Sequence, residues 1–468
     1  MVGERRMKMM LWSRLVVFLL GALLAANAGR GAAAAEPTDP VEMAIELLHR
    51  ADADFRQLGL DAIAHATPGE AATYRYAAEL SKLPAGQQRE LLAAFRDRGD
   101  AAAAAAVTAL LLASADADVR ADAIRTLGVL GNATEVELLK AALAKPDPEQ
   151  AAARRALVTL QGRDVGKQLA DAARFGEPSL RPQLIDILAD RRERSILPDL
   201  PAFLLEEDAA LRLAAARFLG MFGGPEQVAG MVAGLLQTPA GRERDELARA
   251  VVAVSTNNRG HAEAAKSFLE QFKQTGAAEQ EILLPTLGRI GGPEALGIID
   301  DLVADPSRRA FGLKALTVWP TAEVTGRLFA LLEVTSDSAE RQQLLDGLIR
   351  IAPRPDKTIN DGKRLELVKQ TMALCQRDED RQRLLDRTDA IRTVEAFRFV
   401  VGYLDNPALQ EAACQSVVEL AHHRQLRDAH KDEFMKALDR VIAVTKNEEL
   451  SERANRYKAG KTWERKKA

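Results

Sequence analysis

His422, His423 and His430 are the chain's clustered histidines. A helix running through them would carry His423 and His430 on one face, two turns apart. A zinc site needs three or four converging ligands, and this pair supplies too few, so the histidines read as polar residues at a helix end and neither metal nor cofactor is expected. Cys375 and Cys414 could be oxidised to a disulfide in an exported chain. Cys414, however, stands at a position that is small or apolar in every comparable segment, which reads as packed core. Gly460-Lys461-Thr462 matches the end of a phosphate-binding loop, GxxxxGK[ST], but Asn455 occupies the place of its first glycine and no strand precedes it. Carboxylate pairs such as Glu206-Glu207 and Asp300-Asp301 are common along the sequence, yet nothing converges them on a pocket as acid–base catalysis requires. With GxSxG, Rossmann and CxxC patterns also missing, the chain reads as a non-enzyme.

The elements that would position such residues are helices. The 468 residues are 47% hydrophobic, 4% aromatic and 28% charged, with 31 Gly and 19 Pro, a balance that excludes disordered, fibrous and disulfide-scaffold classes. Ala, Leu, Glu, Arg and Gln recur at helical spacing, and the alternation that marks strands is missing. A unit repeats. Aligned on Ile63, Phe95, Leu127, Leu160, Leu188, Leu219, Val254, Leu287, Leu316, Leu348, Thr388 and Val418, eleven intervals span 355 residues, a rhythm in the range of helical-hairpin repeats. Four residues before each marker the side chain is small or apolar, from Gly59 and Leu91 to Leu384 and Cys414. Seven before it stands arginine in seven units: Arg56, Arg120, Arg181, Arg212, Arg309, Arg341 and Arg381.

Inside the unit, Gly223-Gly224-Pro225-Glu226 and Gly291-Gly292-Pro293-Glu294 predict a left-handed glycine cap after one helix, proline in the first turn of the next, and Glu at its positive end. Asn132 stands where Gly224 does and can cap by its side chain. The run Ala101 to Ala106 favours a tightly packed helix.

The segment Asp118 to Gly128, D-x-V-R-x-x-A-x-x-x-L-G, with short helix pairs at this spacing, resembles HEAT repeats, most closely the short bacterial type also found in phycobilisome-lyase-like proteins. The resemblance covers roughly residues 50 to 440. It implies an all-α fold, an α-solenoid (α-α superhelix) of HEAT-like helical hairpins. It also implies that the arginine-bearing helix lies on the concave side, its guanidinium linking neighbouring units. Gln88, Ala153, Leu247, Gln280 and Glu411 replace that arginine, so those junctions are expected to hold by packing.

The organisation expected is a signal peptide over residues 1–35, a solenoid over 41–352, an irregular linker or bend over 353–363, further helical repeats over 364–445 and a charged tail over 446–468. Arg5, Arg6, Lys8 and Arg14 precede Leu15 to Leu24, and the small-residue patterns Ala26-Asn27-Ala28 and Ala33-Ala34-Ala35 follow. That is the order of a cleaved secretory signal. The apolar stretch of about 14 residues falls short of the roughly 20 that span a bilayer, so a periplasmic or secreted protein without stable membrane insertion is expected.

The 64 basic and 67 acidic residues give a net charge of −3. Losing the first 35 residues, with five basic groups against Glu4, takes it to −7. Such a chain has no general attraction for nucleic acid. The exposed position two before each marker reads Arg125, Arg217, Lys314 and several aspartates, with apolar Val158, Val252 and Pro285 in mid-array. The mixed signs form no charge ladder that would select nucleic acid or a polyanion. The apolar residues either pack against neighbouring turns or anchor a protein partner, which leaves Arg125, Arg217, Lys314, Val158 and Val252 as candidate binding residues.

The function expected is an exported scaffold for another protein. Two alternatives are an accessory module of a secreted carbohydrate- or haem-processing enzyme, and a lyase-like chaperone for a chromophore.

Overall fold

Leu, Ala and Val spaced three and four apart give each short segment an apolar stripe too narrow to be buried within one helix, so helices must shelter one another. The computed structural model describes residues 39–463, and among these are 27 α-helices, seven short 3-10 turns and no strand. The fold is all-α, an α-solenoid of helical hairpins. The signal-peptide reading of residues 1–35 lies outside the described residues. Among those described, no helix is long and apolar enough to cross a membrane.

Two compact units divide at Gly223 and Gly224. In the first, Ala53–His65, Ala85–Arg98, Ala117–Leu130, Glu149–Thr159, Arg181–Arg191 and Ala209–Phe222 pack one on the next. In the second, Arg242–Thr256, Ala277–Ile290, Arg309–Thr317, Ser338–Ile351, Asp378–Leu385 and Gln410–His422 do the same. These stacking helices contain or adjoin all twelve marker positions, and every marker is at most 1% exposed. The register read from spacing is therefore the register of the core. Segment 352–360, part of the expected bend, lies between Ser338–Ile351 and Asp361–Leu374 within the second unit, and Asn360 caps the latter by accepting from the Lys363 amide at 2.8 Å.

Close stacking needs glycine where helices cross. A Cβ on Gly128 would come 2.6 Å from the Ala156 Cα, and one on Gly288 would come 2.2 Å from the Ala315 carbonyl oxygen. Real Cβ atoms do not approach so closely, so both positions require a bare Cα if the crossings are to stay tight.

The turns depart from expectation in one respect. Gly291 has a positive φ of 77° but a ψ of −162°, and Gly223 sits at φ −62°, so the left-handed helical cap expected forms at neither copy. Asn132 does cap: its side chain accepts from the Thr134 amide at 3.0 Å while Glu135 accepts from the Asn132 amide at 2.6 Å.

The span expected to be a charged tail contains the helix Glu448–Lys458. Leu450, Ala454 and Tyr457 are buried, and Arg453 donates to Glu419 at 2.7 Å. Its charged composition hid a narrow apolar stripe at positions 450, 454 and 457, enough to hold it on the preceding helices.

Candidate protein-binding groove

The repeat arginines begin from a problem every helix poses: its last carbonyls have no intrahelical donors. Arg120 donates to the Ser114 and Ala115 carbonyls at 3.1 and 2.8 Å, just past the preceding helix, and to Glu149 of the next stacking helix at 2.6 Å. Arg56 does the same with Arg50, Ala51 and Glu90, and Arg309 with Val303 and Glu340. Arg181 donates to the Ala173 carbonyl and to Glu206, Arg212 to the Glu206 and Glu207 carbonyls, and Arg341 to Leu332 and Thr335. Arg381 differs, donating instead to Asp378 of its own helix.

The five units without this arginine do not rely on packing alone. Gln88 and Gln280 reach the Leu80 and Phe272 carbonyls at 3.0 and 3.2 Å. Gln150, Arg244 and Gln410 donate from shifted positions to the Leu143, Thr238 and Leu404 carbonyls. A helix end can be capped from several places along the next helix, so its donor need not hold one register.

A second set of arginines escaped the repeat pattern. Arg98 donates to Ile63 and Thr67 carbonyls, both at 2.6 Å, and Arg191 to Leu157 and Leu160 at 2.6 and 2.9 Å. Arg350 donates to Thr317 and Trp319 at 2.8 and 2.6 Å. Each binds the carboxyl end of the stacking helix one unit back. Burial pushes all three guanidinium pKa values down, that of Arg350 to about 10, which leaves it charged at neutral pH. The available signal was a basic residue two or three places after a marker.

The candidate binding residues divide sharply. Arg125 is held by Asp122 of its own helix at 2.7 Å, and Arg217 reaches back to Asp186 at 2.9 Å. Val158 and Val252 are half-buried. Lys314 is exposed, makes no ion pair among the described residues, and lines a groove of about 350 Å³ with Arg244, Ile282, Pro285 and Arg289. Asp245 and Glu281 complete its polar lining, and Ala248 and Leu235 extend the apolar floor. Pro285 sits inside Ala277–Ile290 and has no amide to close on the Glu281 carbonyl. Two other grooves contrast with it. One, near Ala77 and Leu110, is half alanine and carries no charged side chain, and in the other, near Arg341, Arg377 and Asp380, the cation Arg377 is satisfied by Asp380 at 2.9 Å.

The remaining chemistry-bearing residues stay apart. The helix expected to join His423 to His430 ends at His422, because the backbone of His423 is extended (ψ 93°), and His430 precedes a separate helix, Lys431–Val444. Among the described residues, no group of three or more His, Cys, Asp or Glu could hold a metal ion. Cys375 and Cys414 are free thiols, both buried, and burial pushes their pKa values up to about 11 and 12.

Residues 167–252 match the family model for HEAT repeats, so this stretch carries HEAT repeats. No curated protein matches the chain. Among solved structures, the karyopherin Kap121p bound to the SUMO protease Ulp1p is 13% identical with a TM-score of 0.46, covering 89% of this chain and 52% of that one. A homology model of the AP-3 complex is 12% identical with a TM-score of 0.36, covering 91% and 93%. The chain spans about half the length of the karyopherin it resembles.

Proposed function

We propose that this chain is an exported, non-enzymatic scaffold that binds a protein partner on the face lined by its stacking helices. The observation that carries the reading is the groove at Pro285 and Lys314, where an apolar floor adjoins Arg289 and Lys314, which form no ion pair among the described residues. A protein surface offers both chemistries at once: a side chain for the floor and a carboxylate for the rim. Helical hairpin repeats suit this use, because each hairpin needs only its neighbours for stability and leaves an extended surface available. Export is supported by the basic, apolar and small-residue order of residues 5–35.

Proximity labelling from the chain in its native compartment tests the binding half. The expected result is a reproducible protein neighbour lost when Pro285 and Ile282 are both replaced by Glu; an unchanged set of neighbours would overturn the reading. Mass spectrometry of the exported fraction tests the other half, with a mature amino terminus following Ala28 or Ala35 expected. Full-length chain confined to the cytosol would refute export.

A further inference from the structure

The cations around the groove continue beyond it. Arg289 and Lys314 line its edge, and the tight crossing of Gly288 on Ala315 brings their helices together. The next crossing, Gly347 against Thr317, brings in Arg350, which donates to the Thr317 carbonyl. Arg354 and Arg387 follow, both exposed. Chiefly burial, and then the charges of Arg354, Arg387 and Arg289, lower the Arg350 pKa, so each of those three guanidinium groups stands within electrostatic reach of Arg350. Among the described residues, none of Arg289, Lys314, Arg350, Arg354 and Arg387 forms an ion pair, although most arginines on neighbouring surfaces do: Arg309 with Glu340, Arg327 with Asp300, Arg383 with Asp346. Arg387 feels the charge of the adjacent Asp386 without pairing with it, and like charges gathered with so little compensation cost the folded chain free energy. A ligand of opposite sign would recover it.

Resting on the scaffold reading, we infer that this basic row docks an acidic, extended peptide segment of the partner, with one apolar side chain of that segment seated on Ile282 and Pro285. Two features favour peptide over a polyphosphate or an anionic membrane. The apolar floor has no use for a phosphate backbone but fits a leucine or phenylalanine. The Glu281 carbonyl, deprived of its helical donor by Pro285, offers an acceptor that a peptide amide can satisfy. The row crosses four successive stacking helices, roughly 10 Å apart, so about nine extended residues would span it at ~3.4 Å each.

Fluorescence anisotropy on the full chain tests the assignment, using a labelled peptide of Glu and Asp around one central Leu. Its Gln and Asn counterpart, an oligo-dT of equal charge and phosphatidylglycerol vesicles serve as the other arms. The acidic peptide is expected to bind, to weaken as salt rises, and to exceed its neutral counterpart by roughly tenfold or more. The triple variant Arg289→Glu, Arg354→Glu, Arg387→Glu should lose at least about tenfold, while Lys145→Glu, Arg155→Glu, Lys167→Glu in the first unit should lose none. The milder Arg289→Gln, Arg354→Gln, Arg387→Gln chain replaces the reversal if circular dichroism shows the latter unfolded. No peptide binding, binding indifferent to both triple variants, or tighter binding of oligo-dT or vesicles would overturn the inference. If labelling finds a partner and the peptide does not bind, the basic row fails and the scaffold stands. If the peptide binds and labelling finds no partner, the scaffold fails instead.

Discussion

The two units are built alike and charged differently. In the first, Asp122 is 7% exposed and gathers Arg89 and Arg125, each at 2.7 Å, with Arg96 at 3.8 Å; Arg154 meets Asp190 and Arg217 meets Asp186. In the second, Arg309 with Glu340 and Arg383 with Asp346 pair in the same way, but Arg289, Lys314, Arg354 and Arg387 form no ion pair among the described residues. Packing cannot be the cause, because glycine crossings and buried markers recur in both. The difference teaches that a repeat fold sets where cations stand, while the acids placed one repeat away decide whether they remain available.

The sharpest way to test the shared half of this comparison is to fill both crossings. Gly128→Val and Gly288→Val should each destabilise their unit by about 3 kcal/mol, since neither backbone contact can yield without parting two helices. Urea unfolding followed by hydrogen exchange would locate the loss, and strongly unequal effects would mean the units are not built alike. Next in size is Asp122→Asn. It leaves three arginines around a half-satisfied amide and should cost about 2 kcal/mol, confined to the first unit.

The same aspartate predicts a pH response. Burial would raise its pKa, but hydrogen bonds from Arg89 and Arg125 outweigh burial and hold it below the usual carboxylate value. A carboxylate depressed on folding contributes stability above its unfolded pKa, near 4, and that stability is lost as pH falls through the lower folded value. Asp386 and Asp389 in the second unit behave oppositely: burial, joined at Asp389 by the nearby Glu419 charge, raises their pKa values. They gain stability as acid protonates them. Hydrogen exchange between pH 5 and pH 3 should therefore show protection around Asp122 falling faster than around Asp386. Asp122→Asn should remove that difference.

Arg350→Met comes next, uncapping the Thr317 and Trp319 carbonyls for about 1–2 kcal/mol, read as a lower urea midpoint in the second unit. The smallest effect is expected from Arg125→Gln: an ion pair within one turn, worth about 0.5 kcal/mol, and acidic-peptide binding unchanged. A large loss of binding there would place the docking surface in the wrong unit.

The stack was legible because burial enforces a period. A residue that must face its neighbours every 32 or so positions leaves a mark such as Leu127 or Leu287 that composition cannot blur. Donors to helix ends were legible only where they kept register. Arg120 did; Arg244, three places ahead of Leu247, did not, since a long side chain reaches the same carbonyl from another turn. The candidate site was least legible. Arg125, Arg217 and Lys314 occupy the same place in the repeat. The partner of Arg125, Asp122, stands one helical turn away in sequence, whereas stacking alone brings Asp186 to Arg217 and, among the described residues, no carboxylate into ion-pair range of Lys314. The helix Glu448–Lys458 was missed because its apolar stripe is three residues among many charges.

The guanidinium hydrogen bonds of Arg191 and Arg350 end on main-chain oxygens, as do those of Arg98 apart from one to the Thr73 hydroxyl. An oxygen of that kind is supplied by whichever amino acid occupies the position, so the receiving side of such a joint is blind to side-chain identity. Hairpins carrying such an arginine should therefore be interchangeable parts: one could be moved behind a different neighbour, and its clasp would still close.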